Sequence, residues 1–204
     1  RGCQHDVSAA RFSSPRPATH IDMINTTKAD GIVVLAIDMP GRSMNVLNSG
    51  LLAALGAAFS QAVEDPDVRG IVITSAKSSF VAGADLVEIA TLASPDVAEA
   101  DAKAGIAAIG ALLRRIELAA KPVVGAAPGT ALGGGLELLL ATHYRIAGNG
   151  ASARYGLPEV GLGLLPGAGG TQRLPRLIGV ADSLPLLLEG KPLDVPAMHR
   201  LGVF

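Results

Sequence analysis

Apolar residues first gather at Gly31 to Asp38 (GIVVLAID), a β-branched run that stops at Pro40-Gly41. Such a run, closed by turn residues, predicts a strand. From Asn48 to Glu64 the apolar positions recur at helical spacing, with Asn48 placed to cap the first turn and Asp65-Pro66-Asp67 ending it. Val68 to Ser75 (VRGIVITS) predicts a second strand, and a small-residue loop from Ala76 to Ala84 follows. Asp85 opens a short helix over DLVEIATL. Ser94-Pro95-Asp96 predicts the start of a longer one reaching Ala119 or Ala120, where Lys121-Pro122 stops it. Pro122 to Ala127 predicts a third strand, Leu136 to Ala141 a helix, and His143 to Ala147 a further strand. Pro158 to Gly170 reads as a turn-rich connection, and helices are expected over Thr171 to Ile178, Ala181 to Leu188 and Val195 to Leu201. Strands alternating with helices predict an α/β fold with mainly parallel pairing.

Composition supports a packed interior. The 204 residues are 49% hydrophobic and only 17% charged, which allows a large core and argues against disorder. The net charge of -1 and the absence of Trp exclude the basic surface and stacking platforms of a nucleic-acid binder. No apolar run is long enough to span a membrane without Gly, Pro or a charge. The single cysteine, Cys3, cannot form an internal disulfide and points to a reducing compartment. Residues 1–25 lack a sustained period and read as an irregular tail, a leader or a cloning remnant, ahead of a catalytic domain over residues 26–204.

Three segments could carry chemistry. Gly133-Gly134-Gly135 lies between a strand and an apolar helix. The unpaired N–H groups of a helix start suit an anion or a developing oxyanion, although glycines there also allow close strand–helix packing. Ala82-Gly83-Ala84 forms a second small-residue loop, which could supply another N–H donor or be an ordinary tight βα loop. Glu137 and Glu159 lie in glycine-rich, apolar sequence. Singly they read equally as a helix-dipole carboxylate and a solvated turn residue. Together they suggest paired acid/base groups whose pKa an apolar surround would raise. The glycines fit neither a P-loop, which needs a Lys before Thr171, nor a dinucleotide fingerprint. The four histidines do not cluster, so no zinc site is expected. No serine sits in a G-x-S-x-G setting.

The segments Phe80-Val81-Ala82-Gly83-Ala84-Asp85, Ala131-Leu132-Gly133-Gly134-Gly135-Leu136-Glu137, Pro158-Glu159-Val160-Gly161-Leu162-Gly163 and Pro166-Gly167-Ala168-Gly169-Gly170-Thr171-Gln172-Arg173-Leu174 resemble the enoyl-CoA hydratase (crotonase) family. Asp38 to Leu47 is similar to the hydratase half of bifunctional fatty-acid-oxidation α-subunits. The resemblance covers about Gly31 to Phe204. It implies a spiral of repeated ββα units, commonly trimeric, and a coenzyme-A thioester as substrate, with no cofactor or metal. It implies that the Ala84 and Gly134 N–H groups hold the thioester oxygen. Glu137 would help activate water and Glu159 would deliver a proton to the α-carbon of a trans-2-enoyl-CoA. Ser43, Met44, Val46, Ala82, Gly83, Asp85 and Leu86 would contact the CoA moiety. Retention of both glutamates favours hydration; 3,2-enoyl-CoA isomerisation is the alternative, and a weakly active CoA-binding or assembly module a third. Acyl-chain length is expected to depend on helices such as Pro95 to Ala119. Thiolase and dehydrogenase partners are implied if the chain works within a multifunctional complex, in a bacterial cytoplasm or mitochondrial matrix. Family members continue beyond Gly202-Val203-Phe204 into helices that close the site and form the trimer, so weakened activity and altered assembly are expected of a chain ending at Phe204.

Overall fold

The computed structural model describes residues 23–92 and 94–204. Strand β1 (Ile24–Ala29) turns back into β2 (Ile32–Ile37) through Asp30 and Gly31, both at positive φ. This is the backbone demanded by a two-residue hairpin, and Asp-Gly is among its strongest sequence signals. The hairpin therefore begins at Ile24, inside the segment read as an irregular tail. The remainder of that tail, with Cys3, lies outside the described residues. Along β2, Val33, Leu35 and Ile37 are buried at alternate positions, as a strand's period of two requires.

Helix α1 (Ser49–Glu64) starts where expected, because the Asn48 side chain accepts the Leu51 N–H at 2.8 Å. Its buried stripe of Leu51, Leu55, Phe59 and Ala62 packs onto the sheet. Strand β3 (Gly70–Ser75) leads through the small-residue loop to α2 (Leu86–Leu92), a helix with no buried residue. The next helix, α3 (Glu99–Glu117), begins later than predicted. Ser94 and Pro95 sit in a turn, where the Ser94 hydroxyl accepts the Asp96 N–H, and the acidic residues Glu99 and Asp101 occupy the first helical turn instead.

Strand β4 (Val123–Ala127) is followed by the two-residue β5 (Ala131–Leu132) and by α4 (Gly134–Leu140), every residue of which is buried. Strands β6 (Tyr144–Ala147) and β7 (Tyr155–Gly156) precede a 3-10 turn at Pro158–Leu162. Helices α5 (Gly170–Ile178), α6 (Val180–Leu188) and α7 (Val195–Arg200) complete the described chain. The main sheet has the order β1-β2-β3-β4-β6, parallel except for the first hairpin, so the fold is α/β as expected.

A second set of short pairings lies beyond the ends of these strands. The Ala82 N–H reaches the Asn45 carbonyl at 2.9 Å, and Leu47 bridges Ala84 in parallel. Val81 bridges Ala131, and β5 pairs with β7. Four loops are thereby laid side by side. Asn45, fully buried, ties the first two together: its Oδ1 accepts the Met39 N–H at 3.0 Å, and its Nδ2 faces the Ile37 and Phe80 carbonyls and the Ser75 hydroxyl. A buried polar group left unpaired costs about 1–3 kcal/mol, and Asn45→Ala orphans several. Asn45→Ala is therefore expected to lower stability by roughly 3 kcal/mol in urea unfolding; a loss under about 1 kcal/mol would show that the loops are held by other means.

Candidate active site

Two glycines define the corner at which the site forms. Gly133 has φ +50, a left-handed conformation that turns β5 into α4 and that side chains resist. A Cβ on Gly135 would overlap the Val81 carbonyl, so the loop and α4 can approach this closely only through glycine. Close packing and an open helix start are thus both present, and the two readings left open by the glycine run are compatible. Gly134 opens α4, and its N–H has no acceptor within the helix. The neighbouring ladder spends the N–H groups of Leu47 and Asp85, on the Gly83 and Leu47 carbonyls at 2.8 Å each. The Ala84 N–H takes no backbone partner among the described residues. Among the described residues neither candidate oxyanion donor has a backbone partner.

The two carboxyls converge on the same corner. Glu159 Oε1 lies 2.8 Å from where a Gly133 Cβ would stand, and Glu137 Oε2 lies 4.0 Å from the corresponding point on Gly134. Glu137 is 2% exposed. Its Oε1 accepts the N–H groups of Ala168 at 2.8 Å and Gly170 at 2.7 Å, from the loop entering α5, and none from the amides of its own helix turn. It is not the simple helix-dipole carboxylate of one sequence reading. Burial pushes the Glu137 carboxyl up to about 7; the Gly170 amide opposes this, the nearby Glu159 charge adds to it, and the Ala168 amide and Arg173 pull back.

Glu159 sits at the second position of the 3-10 turn rather than on a solvated loop. Its Oε2 is shielded from solvent and has no hydrogen-bond partner among the described residues. Burial raises its pKa, opposed only by its own backbone amide. A small cleft of about 130 Å³ is lined by Ala82, Gly83, Ala84, Gly133 and Glu159. A larger apolar cavity of about 590 Å³ lies between α1, α2 and α3, lined by Leu47, Leu52, Ile89, Ala108 and Leu112. It is within the size range of small-ligand pockets. Glu137 and Glu159 do not line it, but Ala84 and Ile89 line both this cavity and the small cleft, so the two spaces are neighbours.

The other candidate residues divide into two groups. Asp85 lines the large cavity and pairs with Arg42 at 3.0 Å, and Leu86 lines the small cleft. Val46 is half-buried within the ladder segment. Ser43 and Met44 are exposed and line neither space. Sequence reasoning missed Asn45, the buried tie between the loops; a lone Asn beside exposed Ser43 and Met44 carries no pattern. It also left unassigned the amides of Ala168 and Gly170, which lay within a recognised motif but whose target on another helix is visible only in three dimensions. Among the described residues no His, Cys, Asp and Glu side chains cluster as metal ligands, and no helix is long and apolar enough to cross a membrane.

The family described as enoyl-CoA hydratase/isomerase matches residues 27–204. The chain is 45% identical over 175 residues to a fatty acid oxidation complex subunit alpha from Idiomarina loihiensis, a match covering 85% of this chain and 24% of that protein. It thus spans about a quarter of that relative's length. Its backbone superposes on an enoyl-CoA hydratase from Bacillus anthracis with TM-score 0.79 at 36% identity, covering 89% of this chain and 68% of the other. An enoyl-CoA hydratase from Thermoplasma volcanium gives TM-score 0.80 at 31% identity, over 89% and 70% of the two chains.

The raised Glu137 pKa has a stability consequence. Below about pH 4.5 the carboxyl is protonated in the folded and unfolded chain alike; between there and about 7 only the unfolded chain releases the proton. Stability is accordingly lost as pH rises through this window. Glu137→Gln, which cannot ionise, is expected to gain stability relative to the parent between these pH values, by at most about 3 kcal/mol. Parallel stability-against-pH curves for the two proteins would show that burying this carboxyl carries no such cost.

Proposed function

The chain belongs to the enoyl-CoA hydratase/isomerase family, and from that premise we propose that it hydrates trans-2-enoyl-CoA thioesters to 3-hydroxyacyl-CoA. The observation that carries this reading is the convergence of two carboxyls, one buried and one half-buried, on the Gly133–Gly134 corner, beside two backbone N–H groups that take no backbone partner among the described residues. In this mechanism the thioester oxygen sits against the Ala84 and Gly134 amides. Water adds its oxygen to C3 as Glu137 takes its proton. The electron pair of the double bond moves toward the thioester, and the developing oxyanion is held by the two amides. Glu159 gives its proton to C2. Return of a proton from Glu137 to Glu159 closes the cycle, and the net change is addition of one water.

The surroundings of the two acids keep both able to exchange a proton, and the division of roles follows the family resemblance. Glu137 accepts two amide N–H bonds, which favour its anion and make it the base. Glu159 has one shielded oxygen with no hydrogen-bond partner among the described residues, and burial raises its pKa, the direction a proton donor needs. A base titrating near neutrality is well suited to a reaction run at pH 7. Glu159 alone could also shuttle a proton between C2 and C4 of a 3-enoyl-CoA, so isomerisation on the same amides is the second reading. The acyl tail is assigned to the apolar cavity between α1, α2 and α3, entered past Ala84, and the CoA moiety to the loops carrying Val46, Ala82, Gly83, Asp85 and Leu86. Ser43 and Met44 contribute only if the CoA lies along the exposed rim. Similarity to a fatty acid oxidation complex subunit supports a place beside dehydrogenase and thiolase activities, with trimeric assembly as the family expectation.

Loss of crotonyl-CoA absorbance tests the reaction. Glu137→Gln and Glu159→Gln are each expected to lower kcat at least about a hundredfold, the lower end for loss of a positioned acid or base; near-parental turnover by either variant would refute the acid pair. The parent's kcat is expected to fall on the acidic side of about pH 7 as Glu137 gains its proton. Ala108→Phe, which fills the cavity, should suppress turnover of decenoyl-CoA far more than that of crotonyl-CoA. An equal effect on both would place the tail elsewhere.

A further inference from the structure

Arg173 lies in α5, one turn beyond the loop whose amides hold Glu137. Its guanidinium is largely buried and reaches in two directions. One nitrogen donates to the Ala168 carbonyl at 2.8 Å, and the other to Glu117 Oε2 at 3.1 Å. Ala168 is the residue whose own N–H donates to Glu137 Oε1 at 2.8 Å. The two faces of one peptide residue are thus occupied, its carbonyl by Arg173 and its amide by the candidate base.

The far end of this chain of contacts is also fixed. Glu117 closes α3 and accepts a second bond, from Arg114 at 2.8 Å. Partial burial raises the Glu117 pKa, but the bonds from Arg114 and Arg173 outweigh it and hold the carboxyl below its usual range. It remains a charged anchor at neutral pH. The loop itself is shaped around the guanidinium. Gly169 has φ +101, and a Cβ there would overlap the Arg173 Nη1. A planar fork satisfies two acceptors on different elements at once, which a lysine ammonium on a single flexible stem does not reproduce.

We propose that Arg173 is a positioning residue: by clamping the Ala168 carbonyl against the α3 anchor Glu117, it keeps the Ala168 and Gly170 amides aimed at Glu137 and so preserves Glu137 as an ionisable base. The proposal rests on the hydratase reading for its catalytic meaning, and on geometry alone for its effect on Glu137. The charged groups that act on Glu137 are Glu159, from the 3-10 turn, and Arg173, from α5. Glu159 opposes the anion of Glu137, whereas the amides and Arg173 favour it. Releasing the clamp therefore moves the Glu137 pKa upward.

The test is a carbon-13 NMR titration of the Glu137 side-chain carboxyl in the parent, Arg173→Gln, Arg173→Lys and Glu117→Gln, with crotonyl-CoA hydration followed on the same samples. Arg173→Gln is expected to raise the Glu137 pKa by about one unit, a tenfold change in its proton affinity. The acidic limb of kcat should move with it while KM stays near the parental value. Arg173→Lys should recover part of the shift, and Glu117→Gln, which keeps the guanidinium but removes its anchor, should shift the pKa upward by less. If Arg173→Gln does not fold, the other two variants carry the test. A folded Glu117→Gln or Arg173→Lys protein with parental Glu137 titration overturns the proposal, whatever its melting temperature. Absent turnover in the parent would refute the hydratase reading instead, and the titration would still decide the role of Arg173.

Discussion

The site depends on a ladder of very short parallel pairings that continues past the ends of the main strands. Segments 45–47, 80–85, 130–133 and 155–156 each contribute only a few residues, yet each is bonded to the next. Strands this short gain little by themselves; their register is inherited from the buried strands that precede them. The ladder turns that register into chemistry. It places Ala84 next to Leu47 with an N–H that takes no backbone partner among the described residues, brings Gly133 against Gly156 through a 2.9 Å bond, and sets Glu159 three residues farther along. Helix α4 then carries Glu137 back to the same corner. The acids are 22 residues apart in sequence, and only this stacking makes them neighbours.

Burying a carboxylate is the main cost of the arrangement, and the structure offsets it unequally for the two acids. Glu137 loses almost all contact with water but gains two backbone donors. Glu159 keeps more exposure but presents one shielded oxygen to no donor among the described residues. Burial raises the proton affinity of both acids, so each can exchange a proton closer to neutrality than a solvated carboxyl would. Gly169, at positive φ against Arg173, and Gly170, where a Cβ would crowd Glu137 Oε1, let the loop turn its amides inward on Glu137 while the Ala168 carbonyl turns to Arg173.

Much of this was legible in the sequence. The strands at Ile32–Ile37, Gly70–Ser75 and Val123–Ala127 and the capped helix α1 follow from periodicity and turn chemistry. The Glu137 and Glu159 pair, with the two glycine loops, was legible as a pattern and more so as a resemblance. What stayed hidden was of two kinds. Strand β1, with its polar Asn25, Thr26, Thr27 and Lys28, has no apolar face to read, although Asp30-Gly31 marks its turn. The start of α3 was misplaced because Ser94-Pro95 resembles a helix start, while the true first turn has no side-chain cap. Asn45 and Arg173 each join a local contact to a partner 30 or more residues away, and no local pattern encodes that second half.

The central claim is that these two carboxyls and two amides add the elements of water across an activated double bond. The most direct measurement is mass spectrometry of crotonyl-CoA after incubation with the protein, in parallel reactions in oxygen-18 water and in deuterium oxide. The account predicts 3-hydroxybutyryl-CoA carrying one oxygen-18 at C3 in the first and one non-exchangeable deuterium at C2 in the second. Recovery of crotonyl-CoA with neither label would contradict it. Deuterium in the substrate without any oxygen uptake would assign these residues to proton shuttling alone.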